Sequence, residues 1–139
     1  MLRDLVAHYY LEGNDNCAEA LLRAADEAYG FALDEASYKL IGGFGGGMGC
    51  GRVCGALAGC IAALGVQRIT GRAHETPDFG AACAACVADF SAALGGTECS
   101  ELKPRYVCPE TRCLETVLRA ADVLEQTLAA QPMKKEKTQ

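Results

Sequence analysis

The sequence predicts an all-α fold, a compact single-domain bundle of five to six helices, and three observations lead there. No segment alternates apolar and polar residues with the period of two that a half-buried strand requires, while apolar residues recur at i, i+3, i+4 in several segments. The hydrophobic half of the composition is dominated by Ala and Leu, with no Trp, which suits close helix–helix packing. At 139 residues the chain is long enough for one core and shows no internal repeat or second domain. The domain is expected to span residues 1–131, with a flexible polar tail at 132–139 carrying Lys134, Lys135 and Lys137.

Residues 2–12 form a short helix with Leu2, Leu5, Val6 and Tyr9 on one side. Asn14 or Asp15 can cap the second helix, whose stripe is Cys17, Ala20, Leu21, Ala24, Ala25 and Ala28, and Gly30 ends it. Asp34 caps a third helix over Glu35–Ile41, stopped by the glycines that follow. The fourth, Arg52–Leu64, is apolar on all sides and is therefore expected at the centre. Its Gly55 and Gly59, one turn apart, leave a groove for another helix, within the chain or across a symmetric homodimer. Gln67–Glu75 is a polar loop. Thr76 caps the fifth helix with Pro77 at its first position, and Gly95-Gly96 ends it near Leu94. Glu98–Leu102 is a single turn broken by Lys103-Pro104. Cys108-Pro109 opens the last helix, to about Ala130, with Leu114, Val117, Leu118, Ala121, Leu124 and Leu128 inward.

Nine cysteines are the strongest compositional signal. The N-terminus lacks a signal-peptide layout, because Asp4 and His8 interrupt any apolar run. A cytoplasmic location follows, and there clustered cysteines point to metal or redox chemistry rather than a disulfide framework. Ile41–Val66 is glycine-rich in its first half and too short in its apolar second half for membrane insertion. The formal charge of −5 argues against nucleic acid.

Cys17, Cys54, Cys99 and Cys113 each stand at a helix start or first turn. Four such thiolates converging at one pole can bind an iron–sulfur cluster or zinc, and two can form a reversible disulfide. Cysteine is also a common buried residue, inert when enclosed. Cys54 follows the glycine loop and should be more acidic than an isolated thiol, because a helix start stabilises a thiolate. The N–H groups of that loop, around Gly47, Gly49 and Gly51, can donate to thiolate or sulfide, and Arg52 can add charge there. A nucleotide site is disfavoured: no complete phosphate-loop pattern is present and no strand precedes the glycines.

The segment Cys54-Gly55-Ala56-Leu57-Ala58-Gly59 reads C-G-A-x-x-G. It follows the glycine loop Gly45–Gly49 and an Asn-Cys-Ala-Glu-Ala segment at residues 16–20, and it precedes Gly95-x-x-x-Cys99 and Cys113. This ordered set, from Asn14 to the last helix, resembles the C_GCAxxG_C_C family of redox-active proteins. The resemblance implies an all-helical fold, a redox role, and four hallmark cysteines at Cys17, Cys54, Cys99 and Cys113. Related domains joined to haem-carrying segments favour an iron–sulfur site.

Five further cysteines depart from that pattern. Cys50 is close enough to Cys54 to share a metal or form a strained disulfide. Cys60 falls on a different helix face and reads as packing. Cys83-Ala-Ala-Cys86 lacks the His that covalent haem attachment needs and lies mid-helix, where it packs or extends a relay. Cys108 fits no zinc-finger spacing, and only His8 and His74 could add imidazole.

Three functions follow. In the first, Cys17, Cys54, Cys99 and Cys113, with Cys50 as substitute, hold an iron–sulfur cluster, or else zinc, and exchange electrons with an unidentified redox partner protein. In the second, no metal is used, Cys54 is the nucleophile, and Cys50, Cys99 or Cys113 resolves. In the third, the chain is a non-catalytic, transport-associated helical module whose cysteines only pack.

Overall fold

A computed structural model describes residues 1–130. The expectations for residue 131 and for the tail at 132–139 lie outside the described residues. Seven α-helices are found among them: α1 Leu2–Leu11, α2 Cys17–Tyr29, α3 Glu35–Gly42, α4 Gly55–Arg68, α5 Phe79–Leu94, α6 Cys99–Tyr106 and α7 Leu114–Ala130. No strand occurs among the described residues; two isolated β-bridges do, between Val53 and Glu98 and between Cys108 and Arg112. No helix there is long and apolar enough to cross a membrane.

α4 is the central helix, packed against α2, α7, α5 and α3. Its Ala56, Leu57, Cys60, Ala63 and Leu64 are buried, as expected of a helix apolar on every face. The groove at Gly55 and Gly59 is filled within the chain. A Cβ on Gly59 would lie 3.0 Å from the Ala18 carbonyl oxygen and 3.1 Å from Leu21 of α2. α1 and α7 close the bundle around Leu21, Phe90, Val117 and Leu124.

The count of seven exceeds the expected five to six, and the differences have local causes. Asn16, rather than Asn14 or Asp15, caps α2: its side chain accepts the Glu19 N–H at 3.0 Å and Glu19 accepts the Asn16 N–H at 2.9 Å. Asn14 adopts a left-handed conformation, and Asp15 is buried against Arg23 at 3.0 Å. α4 starts at Gly55, because Arg52–Cys54 is drawn out to pair with residues 97–99. α5 starts at Phe79 behind a left-handed Asp78, and Thr76 instead donates its hydroxyl to the Arg72 carbonyl at 3.0 Å. The turn at 98–102 continues as the two-turn helix α6, started by a reciprocal Glu98–Glu101 capping box and tolerating Pro104 inside. α7 begins only at Leu114, because Cys108–Arg112 folds into a tight turn with paired N–H···O bonds of 3.1 and 2.7 Å.

Candidate functional site

The glycine loop is built by left-handed backbone. Gly46, Gly47, Met48 and Gly49 all lie at φ between 62° and 72°. Gly47 combines that conformation with close approach: a Cβ there would be 2.6 Å from the Arg52 nitrogen and 2.7 Å from Cys99 Cβ. Gly55, first residue of α4, admits Cys17, whose Sγ would lie 2.5 Å from a Cβ added at 55. One end of the loop is tied down by Asn16, whose amide donates to the Gly42 carbonyl at 2.8 Å.

Beyond the loop the chain runs extended for three residues and forms a short antiparallel pairing with the segment before α6. The Cys54 N–H donates to the Thr97 carbonyl at 2.8 Å, and the Cys99 N–H donates to the Arg52 carbonyl at 2.6 Å. Two cysteines remote in sequence are thereby held on either side of the Val53–Glu98 bridge. Each of the four hallmark cysteines begins a helix. Cys17 and Cys99 are the first residues of α2 and α6. The carbonyls of Cys54 and Cys113 accept the first helical N–H of α4 and α7, from Ala58 at 3.0 Å and Val117 at 3.1 Å.

The helix starts converge. Cys113 and Cys99 lie near enough to Cys17, Cys17 and Cys99 to Cys54, and Cys113 to Cys99, that a thiolate at one disfavours ionisation of its neighbour. Main-chain N–H groups lie where they favour negative charge on sulfur: those of Gly46 and Ala18 for Cys17, and those of Leu57 and Ala56 for Cys54. Cys113 is fixed by Tyr10, whose hydroxyl accepts the Cys113 N–H at 3.1 Å. Arg112 covers the Tyr10 ring at 4.6 Å.

The expectation of an acidic Cys54 is overturned. Its thiol is 4% exposed, and burial pushes its pKa up to about 11, with the neighbouring Cys17 and Cys99 adding to the rise. The helix-start N–H groups of Leu57 and Ala56 oppose the shift without cancelling it. Burial likewise raises Cys17 against the pull of the Gly46 N–H, and raises Cys99 against the pull of Lys103. All three thiols are thereby disfavoured as thiolates at neutral pH.

The remaining candidates are placed differently. Cys50 is exposed on the loop, its thiol turned back to the Gly47 carbonyl at 3.6 Å. The Arg52 side chain is exposed, and its contribution to the site is its main-chain carbonyl. Gly47 is buried beneath Cys99, Gly49 is exposed, and Gly51 is half-buried beside Ser100. Cys60 and Cys86 are fully buried, Cys83 is half-buried, and Cys108 pairs with the Thr111 hydroxyl at 2.8 Å. His8 bonds Glu12 on the surface, and His74 is exposed. Sequence reasoning missed Tyr10, Gly46 and the capping pair of Glu98 and Glu101. The E-x-x-E spacing carried a signal for the last; nothing in the sequence linked Tyr10 to Cys113.

Among the described residues no three His, Cys, Asp or Glu side chains are placed to share a single metal ion.

A small all-helical protein with four cysteine-led helix starts and a left-handed glycine loop is the class these features define. The chain belongs to the family described as "Putative redox-active protein (C_GCAxxG_C_C)", whose model matches residues 15–127. No curated protein and no solved structure matches it.

Proposed function

We propose that this chain is a redox protein in which Cys17, Cys54, Cys99 and Cys113 ligate an iron–sulfur cluster for electron transfer. The observation that carries the reading is that three buried thiols, Cys17, Cys54 and Cys99, are each disfavoured as an isolated thiolate, partly by one another and by Cys113, at a place where backbone N–H groups favour negative charge on two of them. A bound metal deprotonates its thiol ligands outright, so a cationic group removes the electrostatic conflict. Zinc needs its four sulfurs on one point, whereas a cluster spreads its ligands over several irons, so the lack of a single-ion group among the described residues weighs more against zinc than against a cluster.

When bound, the cluster supplies reversible one-electron exchange. The chain's own residues do the rest. The N–H groups of Gly46, Ala18, Ala56 and Leu57 donate to ligand sulfur and raise the potential. Burial of Cys54 and Cys99 excludes water. Exposed Met48, Cys50 and Arg52 form the rim where a redox partner protein docks.

A metal-free thiol–disulfide reading keeps one observation in its favour, the pairing that sets Cys54 beside Cys99. It lacks an activated nucleophile, since Cys54 is raised to about 11. Anaerobic purification followed by reconstitution with iron and sulfide tests both. A brown protein with iron and acid-labile sulfide, lost in Cys54→Ala and Cys113→Ala but kept in Cys108→Ala, is the expected result. A colourless, iron-free product in which a Cys54 disulfide forms and reduces reversibly would overturn the cluster in favour of the dithiol.

A further inference from the structure

α5 has the composition of an enclosed helix, yet one side of it faces outward. In a chain with 13 Lys and Arg and 18 Asp and Glu, the stretch 79–97 carries one charge, Asp89, and the stretch 53–67 carries none. A helix at a protein surface turns charged and polar residues to solvent. α5 instead turns out Gly80, Ala84, Val87 and Ala88, all exposed, at the i, i+4, i+7, i+8 spacing of a single face. Asp89 does not interrupt that face: its carboxylate turns to α7, where it accepts the hydroxyl of the buried Thr127 at 3.5 Å. α4 continues the surface. Ala58, Ile61 and Ala62 are half-buried and Val66 is 41% exposed, again on one side of the helix. Gly65 lies on that side too, and a Cβ there would be 3.8 Å from the Phe79 ring of α5. At their other ends the two antiparallel helices are joined by the bond from Cys54 to Thr97. Their outer sides therefore make one apolar face with no charge on it.

A contiguous exposed apolar face marks an interaction surface, and its size and charge select the occupant. Two adjacent helices of 14 and 16 residues present a face of about 20 Å by 20 Å. Two such faces together bury on the order of 1,000 Å², the threshold of a specific interface. At a net charge of −5 two copies of the chain repel, and an uncharged face lets them meet without that repulsion. Its small side chains also let helix axes approach closely. A membrane surface calls for Lys and Arg flanking the apolar side, and neither stretch contains any. Neither contains a Trp, Tyr or Arg to anchor an unlike protein. We infer that this face is a homodimer interface, with the α4–α5 hairpin of one copy packed on that of the other about a twofold axis. The inference is independent of what the cysteines of the candidate site hold.

The test is the mass of the full chain in solution, by light scattering on a sizing column and by sedimentation over a range of concentrations. The wild type is expected to be a dimer. Ala84→Arg sets an unpaired charge in each half of the interface and should weaken the dimer at least about a hundredfold, with the helical circular dichroism unchanged. Ala36→Glu adds a charge at an exposed position of α3 and should leave the dimer intact. Amide exchange of the wild type gives a reading that needs no variant to fold: residues 58–66 and 80–92 should exchange more slowly in concentrated than in dilute protein. A wild type that stays monomeric overturns the inference. If that monomer sediments with phosphatidylglycerol vesicles the face belongs to lipid, and if it does not, to an unlike protein. A dimer as tight in Ala84→Arg as in wild type, with exchange in α4 and α5 independent of concentration, would overturn it too by placing the contact on another surface.

Discussion

The Cys99 N–H donates to the carbonyl of Arg52 at 2.6 Å, and with its companion bond from Cys54 to Thr97 it joins the two ends of the α4–α5 hairpin. Everything between those ends, two helices and the polar loop at 69–78, can be regarded as a closed excursion that returns Cys99 beside Cys54. Gly47 lies directly beneath the junction. The glycine loop thus acts less as a ring of free donors than as a floor thin enough for Cys99 to rest on.

That geometry makes Gly47 and Gly49 unequal. Both are left-handed, at φ 64° and 72°, so alanine at either is strained by about 1–2 kcal/mol. Nothing lies within 4 Å of a Cβ at Gly49, whereas at Gly47 it meets Arg52 at 2.6 Å and Cys99 at 2.7 Å. Gly47→Ala should therefore lose a further 1–3 kcal/mol or so through overpacking and, under the proposed cluster function, should impair iron uptake, while Gly49→Ala keeps it. Urea unfolding and iron content of the two variants measure this, and equal losses would show that Gly47 is not a contact floor.

Much of the fold was legible because helix ends carry local chemistry. Gly30, Asp34 and Gly95 act where their side chains, or lack of one, predict. The central place of α4 followed from an apolar circumference. What was not legible depends on partners distant in sequence. Arg52–Cys54 has no strand pattern and is extended only because Thr97 and Cys99 offer a ladder. Tyr10 reads as one more aromatic on α1 until Cys113 arrives beneath its hydroxyl. The acidity of Cys54 was misjudged for a related reason: a helix start is a local feature, but burial at 4% exposure is created by the whole bundle and outweighs it.

Asn16 links α2 to the loop through two different atoms. Its carbonyl oxygen caps Glu19 and its amide donates to Gly42 at 2.8 Å. Asn16→Asp keeps the cap and loses the tie; Asn16→Ala loses both. The alanine variant should be destabilised by about 1–2 kcal/mol. The aspartate variant should keep α2 intact while making the glycine loop more open to protease. Thermal unfolding together with limited proteolysis separates the two, and a loop equally resistant in Asn16→Asp and wild type would remove the amide tie from the account.

Tyr10→Phe deletes only the hydroxyl that accepts the Cys113 N–H. Tyr10 is 4% exposed, so water cannot easily replace it. A buried donor left without a partner costs about 1–3 kcal/mol. The expected outcome is a loss of that size in urea unfolding, with faster amide exchange at Cys113. Unchanged exchange at that amide would mean the ring, not the hydroxyl, holds the α7 start.

The raised cysteines fix a pH dependence whose sign follows from proton counting. In metal-free, reduced protein Cys54 ionises near 11 when folded, against an ordinary value of 9.0. Between those values the unfolded chain carries fewer protons on this cysteine than the folded one, so stability falls as pH rises. Below about pH 9 the contribution is constant; by about pH 11 the loss from Cys54 is on the order of 2–3 kcal/mol. Cys17 and Cys99, also raised by burial, push in the same direction. Tyr38 and Tyr10 are raised too, so the informative quantity is a difference between proteins. Urea unfolding of wild type and Cys54→Ala at pH 7.5, 9 and 10.5 should give curves that converge at high pH, the variant losing less than the wild type. Parallel curves would mean that Cys54 ionises as easily in the folded chain as in the unfolded one. The electrostatic conflict at the heart of the cluster reading would then lose its central member.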